Sequence, residues 1–245
     1  MIAGLTYRSV ACSHPGLVRA HNEDSYLERP DLGLWVVADG MGGMTAGDVA
    51  SQAIVRALDE IAVQESGPAF VAEIKRRLAG VNDELRALAV SRQAPTAIGS
   101  TVAGLLVFRD HFACFWAGDS RIYRLRRGEL DPLTRDHSLV QGMVDAGLLA
   151  PDKAETHPHA SVIQRAVGVE ETLELEFTHA RIQPGDLFLL CSDGLTRMVG
   201  DEELEREIGR MPLETICDAL LALVLERGAK DNVTMIVVAC EPARV

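Results

Sequence analysis

Four short apolar runs in this chain each carry an aspartate at one end, and that recurrence constrains the fold more than any other feature of the sequence. The run at 34–38 leads into Asp39, FACFWAGDSR sets Asp119 just past another, LFLLCSDGL does the same with Asp193, and Asp231 stands shortly before VTMIVVA. Apolar runs of this length bounded by turn residues read as buried strands. A single Asp-Gly step after such a run would mean only a turn. Four carboxylates at four strand ends imply sheets whose ends gather acid. The first is followed by Gly40-Met41-Gly42-Gly43, which reads as a flexible turn leading into a helix.

The rest of the pattern supplies the layers. LTYRSVAC partly alternates, as a half-exposed strand does, and residues 47–64 and 68–91 space their apolar side chains at three and four, with Pro68 in a first helical turn. Residues 99–108, 111–118, 120–128 and the short GELDPLT then read as successive strands whose links are too short for crossover helices, so they are expected to be antiparallel. A short helix is expected at 138–149, an exposed, Pro-containing loop at 150–161, strands at 173–182 and 186–192, helices at 201–209 and 213–228, and a last strand at 232–240. Helix pairs interleaved with antiparallel strands predict an α+β fold, a four-layer α-β-β-α sandwich with two central antiparallel sheets flanked by helices. The expected organisation is one domain over 1–245, with a flap around 137–160.

Composition narrows the function. A formal charge of −12 argues against nucleic acid, whose phosphates are bound by neutralising Lys and Arg, and part of that charge would vanish on binding divalent cations. The N-terminus lacks a basic segment followed by an apolar one, and no stretch approaches the roughly 18 apolar residues of a membrane span, so a cytoplasmic protein with no membrane partner is expected. Five scattered cysteines, Cys12, Cys114, Cys191, Cys217 and Cys240, suggest buried reduced thiols.

Asp39, Asp119, Asp193 and Asp231, with Glu23 and Asp24 of the NED triplet, are hard oxygen donors with no accompanying Cys pair or His-x-x-x-His, which suits Mn²⁺ or Mg²⁺ better than Zn²⁺. Two such cations sharing a carboxylate lower the pKa of a common water and stabilise charge on a phosphoryl group under in-line attack, so phosphoester hydrolysis is the natural use. Spacing alone leaves a second reading open, six unrelated solvated acids.

The motifs, taken in order, are specific. Arg19-x-x-Asn22-Glu23-Asp24, Ala38-Asp39-Gly40-Met41-Gly42-Gly43, Gly99-Ser100-Thr101, Ala117-Gly118-Asp119-Ser120-Arg121, Ser192-Asp193-Gly194 and Asp231-Asn232-Val233-Thr234 resemble those of the metal-dependent protein phosphatase 2C family. The resemblance implies a flanked β-sandwich and a serine/threonine phosphatase of bacterial type, attacking phosphoserine and phosphothreonine in proteins with a metal-bridging hydroxide and opposing a protein kinase. It implies that Asp39 bridges two tightly bound cations, with the Gly40 carbonyl and water-linked Glu23 on one side and Asp193 and Asp231 on the other. Asp24 and Asn232 would support these ligands from behind. Arg19 would grip the substrate phosphate, which its planar fork suits. Asp119 with Asp193 would hold a weaker third cation, to which Ser161 could lend support. A monomer is expected.

Met41 stands where many animal members carry a histidine and cannot donate a proton, so a metal-bound water is expected to protonate the leaving group. His137, His157 and His159 read as loop histidines rather than ligands. Cys191 and Arg197 have the spacing of a cysteine-dependent phosphatase loop, but Asp193 between them would raise the thiol pKa and repel phosphate. A phosphatase fold that only binds phosphoprotein would be expected to have lost ligand acids, and none is lost.

Overall fold

Two antiparallel sheets face each other across an apolar interior, and each carries helices on its outer side. The computed structural model describes residues 5–42, 46–94, 96–154 and 156–242. Gly43 of the expected turn, Glu155 of the expected flap and the extreme ends of the 1–245 domain lie outside the described residues.

The first sheet has the order β1 (Leu5–His14), β11 (Val233–Pro242), β10 (Leu187–Cys191), β7 (Arg121–Arg126), β8 (Glu129–Pro132). The second runs β2 (Asp24–Arg29), β3 (Leu34–Met41), β5 (Val102–Phe108), β6 (His111–Ala117), β9 (Glu176–Arg181), with the two-residue β4 (Gly99–Ser100) paired to the end of β3. Side-chain alternation divides each strand between two cores. Trp35 and Val37 of β3, Cys114 and Trp116 of β6, Phe188 and Leu190 of β10, and Ile236 and Val238 of β11 fill the space between the sheets. Phe112 meets Phe188 edge-on there, and the Trp35 indole N–H donates to Ser9 Oγ on the opposite sheet at 3.1 Å.

The other parity faces helices. Leu34, Val36 and Ala38 pack under α1 (Gly47–Asp59) and α2 (Gly67–Ser91), which bury Ala50, Ile54 and Leu58 and then Phe70, Ile74, Leu78 and Leu85 at helical spacing. Ser66 caps α2 by accepting from the Ala69 N–H. On the other side Leu189, Cys191, Met235 and Val237 pack against α5 (Asp201–Ile208) and α6 (Leu213–Glu226). Both faces of the central strands are covered, which is why β3 reads as an unbroken apolar run. The expected four layers are therefore present.

Several details differ from the sequence expectation, among them the ends of the helices expected at 47–64 and 138–149, which stop at Asp59 and Asp145. β3 continues past Asp39 to Met41, because Gly40 and Met41 pair with Ser100 and Gly99 of β4. The segment 24–29, without an apolar pattern, is the edge strand β2. β6 and β7 do not form a hairpin: the link Gly118-Asp119-Ser120 carries the chain from one sheet to the other, with Gly118 at φ +120°. A four-residue helix α4 (Asp193–Thr196) follows β10 directly. All five cysteines are free, four of them buried, and no helix among the described residues is long and apolar enough to cross a membrane.

Candidate metal centre

At one end of the sandwich the inter-sheet positions stop being apolar. The series Trp35-Val37 continues to Asp39, Phe188-Leu190 to Ser192, and Ile236 is preceded by Thr234, so the same parity that builds the core delivers polar groups to its mouth. Asp24 is the direct cross-strand partner of Asp39. Asp193 opens α4, Asp231 lies two residues before β11, and Asp119 sits in the sheet-to-sheet crossing. The strand ends that carry the predicted acids thus share one rim.

Hydrogen bonds from Thr101 and Asn232 fix the segments that carry Asp39 and Glu23. Thr101 donates its N–H to the Asp39 carbonyl at 2.9 Å, its Oγ1 accepts from the Asp39 N–H at 3.0 Å, and the same hydroxyl lies 2.7 Å from Ser120 Oγ beside Asp119. Asn232 ties down the loop that bears Arg19 and Glu23: its Oδ1 accepts from the Glu23 N–H at 2.8 Å, and its Nδ2 donates to the Pro15 and His21 carbonyls, each at 2.9 Å. Glu23 Oε1 accepts from the Gly47 N–H at 3.2 Å, so this carboxylate meets the positive end of α1. Gly194 allows close approach of α4 to the segment before β11, since a Cβ there would lie 1.9 Å from the Asn232 carbonyl oxygen.

The electrostatics are strained. Burial, reinforced by the charges of Asp24, Asp193, Asp119 and Asp231, pushes Asp39 well above the ordinary carboxylate range. Burial also raises Asp24 to about 7, against the pull of the Ser192 hydroxyl that donates to its Oδ2 at 2.8 Å. Asp119 is raised to about 8 by burial and then by Asp193 and Asp136, and burial raises Asp193 against the pull of Arg197. Asp24 Oδ1 and Asp119 Oδ1 are buried with no hydrogen-bond partner. Two guanidinium groups answer these acids directly. Arg19, half-exposed, donates to Asp231 Oδ2 at 2.8 Å; Arg197 pairs with Asp193 Oδ2 and lies 3.8 Å from Asp119 Oδ2. Six carboxylates face two arginines, an excess of acid that divalent cations would neutralise. Among the described residues no three His, Cys, Asp or Glu side chains are already drawn together into a coordination shell; Asp193 and Asp231 pair with the arginines instead. An all-oxygen donor set with orphaned acceptors and a charge deficit fits hard divalent cations.

Ser161 is exposed at the edge of the segment over the Asp119 side, where the neighbouring Ala160 lines a small cavity with Asp119, Asp193 and Arg197. That segment contains α3 (Leu139–Asp145) and is pinned at its base by Leu139 N–H donating to the Val162 carbonyl and Gln164 N–H to that of His137. His137 stacks on Trp116 and accepts from the Gly118 N–H at Nδ1, a packing role. His157 and His159 lie against each other, their rings 5.6 Å apart. Cys191 is fully buried on β10 and burial pushes its thiol up to about 12, so it forms no thiolate nucleophile. The sequence showed neither the support that Ser192 gives Asp24 nor the pairing of Arg197 with Asp193. An i,i+4 Asp-Arg spacing from Asp193 was the available signal for Arg197, legible only once a helix is assigned there.

A four-layer sandwich opening an acid-lined cleft between its sheets defines the architecture of the metal-dependent phosphatases. The chain belongs to the family described as Protein phosphatase 2C, whose profile matches residues 18–234. It is 36% identical over 233 residues to the serine/threonine protein phosphatase PstP of Mycobacterium tuberculosis, covering 95% of this chain and 45% of that protein, so it spans a little under half the relative's length. Among solved structures it resembles PppA, described as a key regulatory component of T6SS in Pseudomonas aeruginosa, at TM-score 0.89 and 44% identity over 96% of this chain and 98% of that one. It also resembles the PstP catalytic domain in complex with two manganese ions, at TM-score 0.87 and 34% identity over 97% and 99% of the two chains.

Proposed function

We propose that this chain is a metal-dependent serine/threonine protein phosphatase that hydrolyses phosphoserine and phosphothreonine in proteins. The observation that carries the reading is the cluster of six acids at the mouth of the inter-sheet cleft, short of positive charge and with two buried carboxylate oxygens unpartnered. Family membership and the manganese-bound relative support it.

Asp39, Glu23, the Gly40 carbonyl, Asp193 and Asp231 would hold two Mn²⁺ or Mg²⁺, and Asp119 with Asp193 a weaker third. Bound there, the cations neutralise the acids, activate water and stabilise charge on the phosphoryl group. Arg19 spends one nitrogen on Asp231 and turns its remaining donors to a substrate phosphate at the rim. Asp24 and Asn232 keep the Glu23 loop and the end of β2 in place. The 137–160 segment acts as a flap beside Asp119, with Ser161 at its edge. Met41 supplies no proton to the leaving alkoxide. A monomer in the cytoplasm, opposing a serine/threonine kinase, completes the reading.

Phosphate release from a phosphothreonine peptide by the Mn²⁺-loaded chain tests it. Turnover is expected. Saturable peptide binding with no phosphate release would replace the enzyme with a phosphoprotein-binding module.

A further inference from the structure

The Arg197 guanidinium stands where two buried carboxylates meet. Asp119 comes from the crossing between sheets and Asp193 from the start of α4, and Arg197 is the cation the described residues place against both. The pairing is lopsided. Arg197 Nη2 contacts Asp193 Oδ2 but stays 3.8 Å from Asp119 Oδ2, beyond hydrogen-bond reach. Asp119 is 5% exposed, and its Oδ1 has no partner at all. Arg197 is one-third exposed and sits one helical turn from Asp193, so its head can leave for solvent without disturbing the backbone. The cavity beside it, of about 60 Å³, is lined by both acids and by Ala154 and Ala160 of the overlying segment.

We infer that Arg197 is a built-in counter-cation that holds the Asp193 oxygen a divalent cation between Asp119 and Asp193 would need, and thereby sets the affinity of that third site. A guanidinium keeps its charge at every working pH and occupies carboxylate lone pairs, so it and a cation on the same oxygens exclude one another. A cation arriving there must displace Arg197, and in return it satisfies the Asp119 oxygen that the arginine does not reach. The chain would therefore fill its third site only at high metal concentration, while staying charge-balanced when that site is vacant.

This rests on the metal-dependent reading above, and the test reads binding rather than turnover. Mn²⁺ is titrated calorimetrically into the metal-stripped full chain, as wild type, Arg197→Ala, Arg197→Gln, Arg197→Lys, Asp119→Ala and the Arg197→Ala/Asp119→Ala double variant, with near-UV circular dichroism confirming the fold. In Arg197→Ala and Arg197→Gln the weak Mn²⁺ phase should tighten about tenfold, or appear if wild type lacks it. Arg197→Lys should stay near wild type, and removing Asp119 should abolish the gain. A weak phase unchanged or weakened in both truncations would overturn the inference and make Arg197 a residue that positions the acids. A Lys variant binding as tightly as the Ala variant would remove its charge as the cause. Absence of all Mn²⁺ binding in wild type would instead sink the metal-dependent reading itself.

Discussion

Asn232→Ala should cost this protein more than any other single amide-to-alanine change near the site. The side chain is 6% exposed and makes three hydrogen bonds, accepting from the Glu23 N–H and donating to the Pro15 and His21 carbonyls. Each net bond is worth about 1 kcal/mol, so the three together give a loss of about 3 kcal/mol. For a domain of this size that lowers the melting midpoint by about 6–12 °C. The damage is local as well, because the freed loop carries Arg19 and Glu23; KM for a phosphopeptide and the Mn²⁺ requirement should both rise. Asn232→Asp is the sharper variant: it keeps the shape but turns an acceptor toward two carbonyl oxygens, and should melt at or below the alanine variant. Calorimetric melts of the three proteins decide this. An Asn232→Ala midpoint within 1 °C of wild type, or an Asp variant as stable as wild type, would refute the clamp.

Other outcomes follow from the same geometry. Asp39→Asn or Asp193→Asn should cut turnover on the order of 1000-fold and weaken Mn²⁺ binding, whereas Arg19→Ala should chiefly raise KM for phosphopeptides with Mn²⁺ affinity no weaker than wild type; equal losses of metal affinity would contradict that division. Asp119→Ala should keep two tight Mn²⁺ and lose about 100-fold in kcat on phosphopeptides, but less on p-nitrophenyl phosphate, whose leaving group needs little protonation; equal losses would remove the leaving-group role. Burial holds His137 below the ordinary histidine pKa, opposed by Glu176 and Asp136 and aided by Arg165. A depressed value means stability fully present above about pH 6.5 and lost as pH falls through the folded pKa, so His137→Gln should flatten the fall in melting midpoint between pH 7 and 5, and parallel profiles would contradict it.

Much of the site was legible because parity carries it. The unbroken run at 34–38 marks a strand buried on both faces, and Asp39 inherits the parity of Trp35 and Val37, which puts it at the inter-sheet mouth. β2 escaped notice because it is an edge strand whose one well-buried apolar residue is Leu27. The three-residue link after β6 is as short as a hairpin loop, and only the packing of Trp116 and Ile122 into one inter-sheet core shows that it changes sheets. α4 is too short to show a period, and with it went the reach of Arg197 back to Asp193.

Initial rates on a phosphothreonine peptide, with Mn²⁺ and with excess chelator, for wild type and Cys191→Ser, test the central claim most directly. The acid-lined cleft predicts turnover in Mn²⁺, none in chelator, and a Cys191→Ser variant as active as wild type, since that thiol is buried behind the site. Full activity in chelator, abolished by Cys191→Ser, would contradict the account.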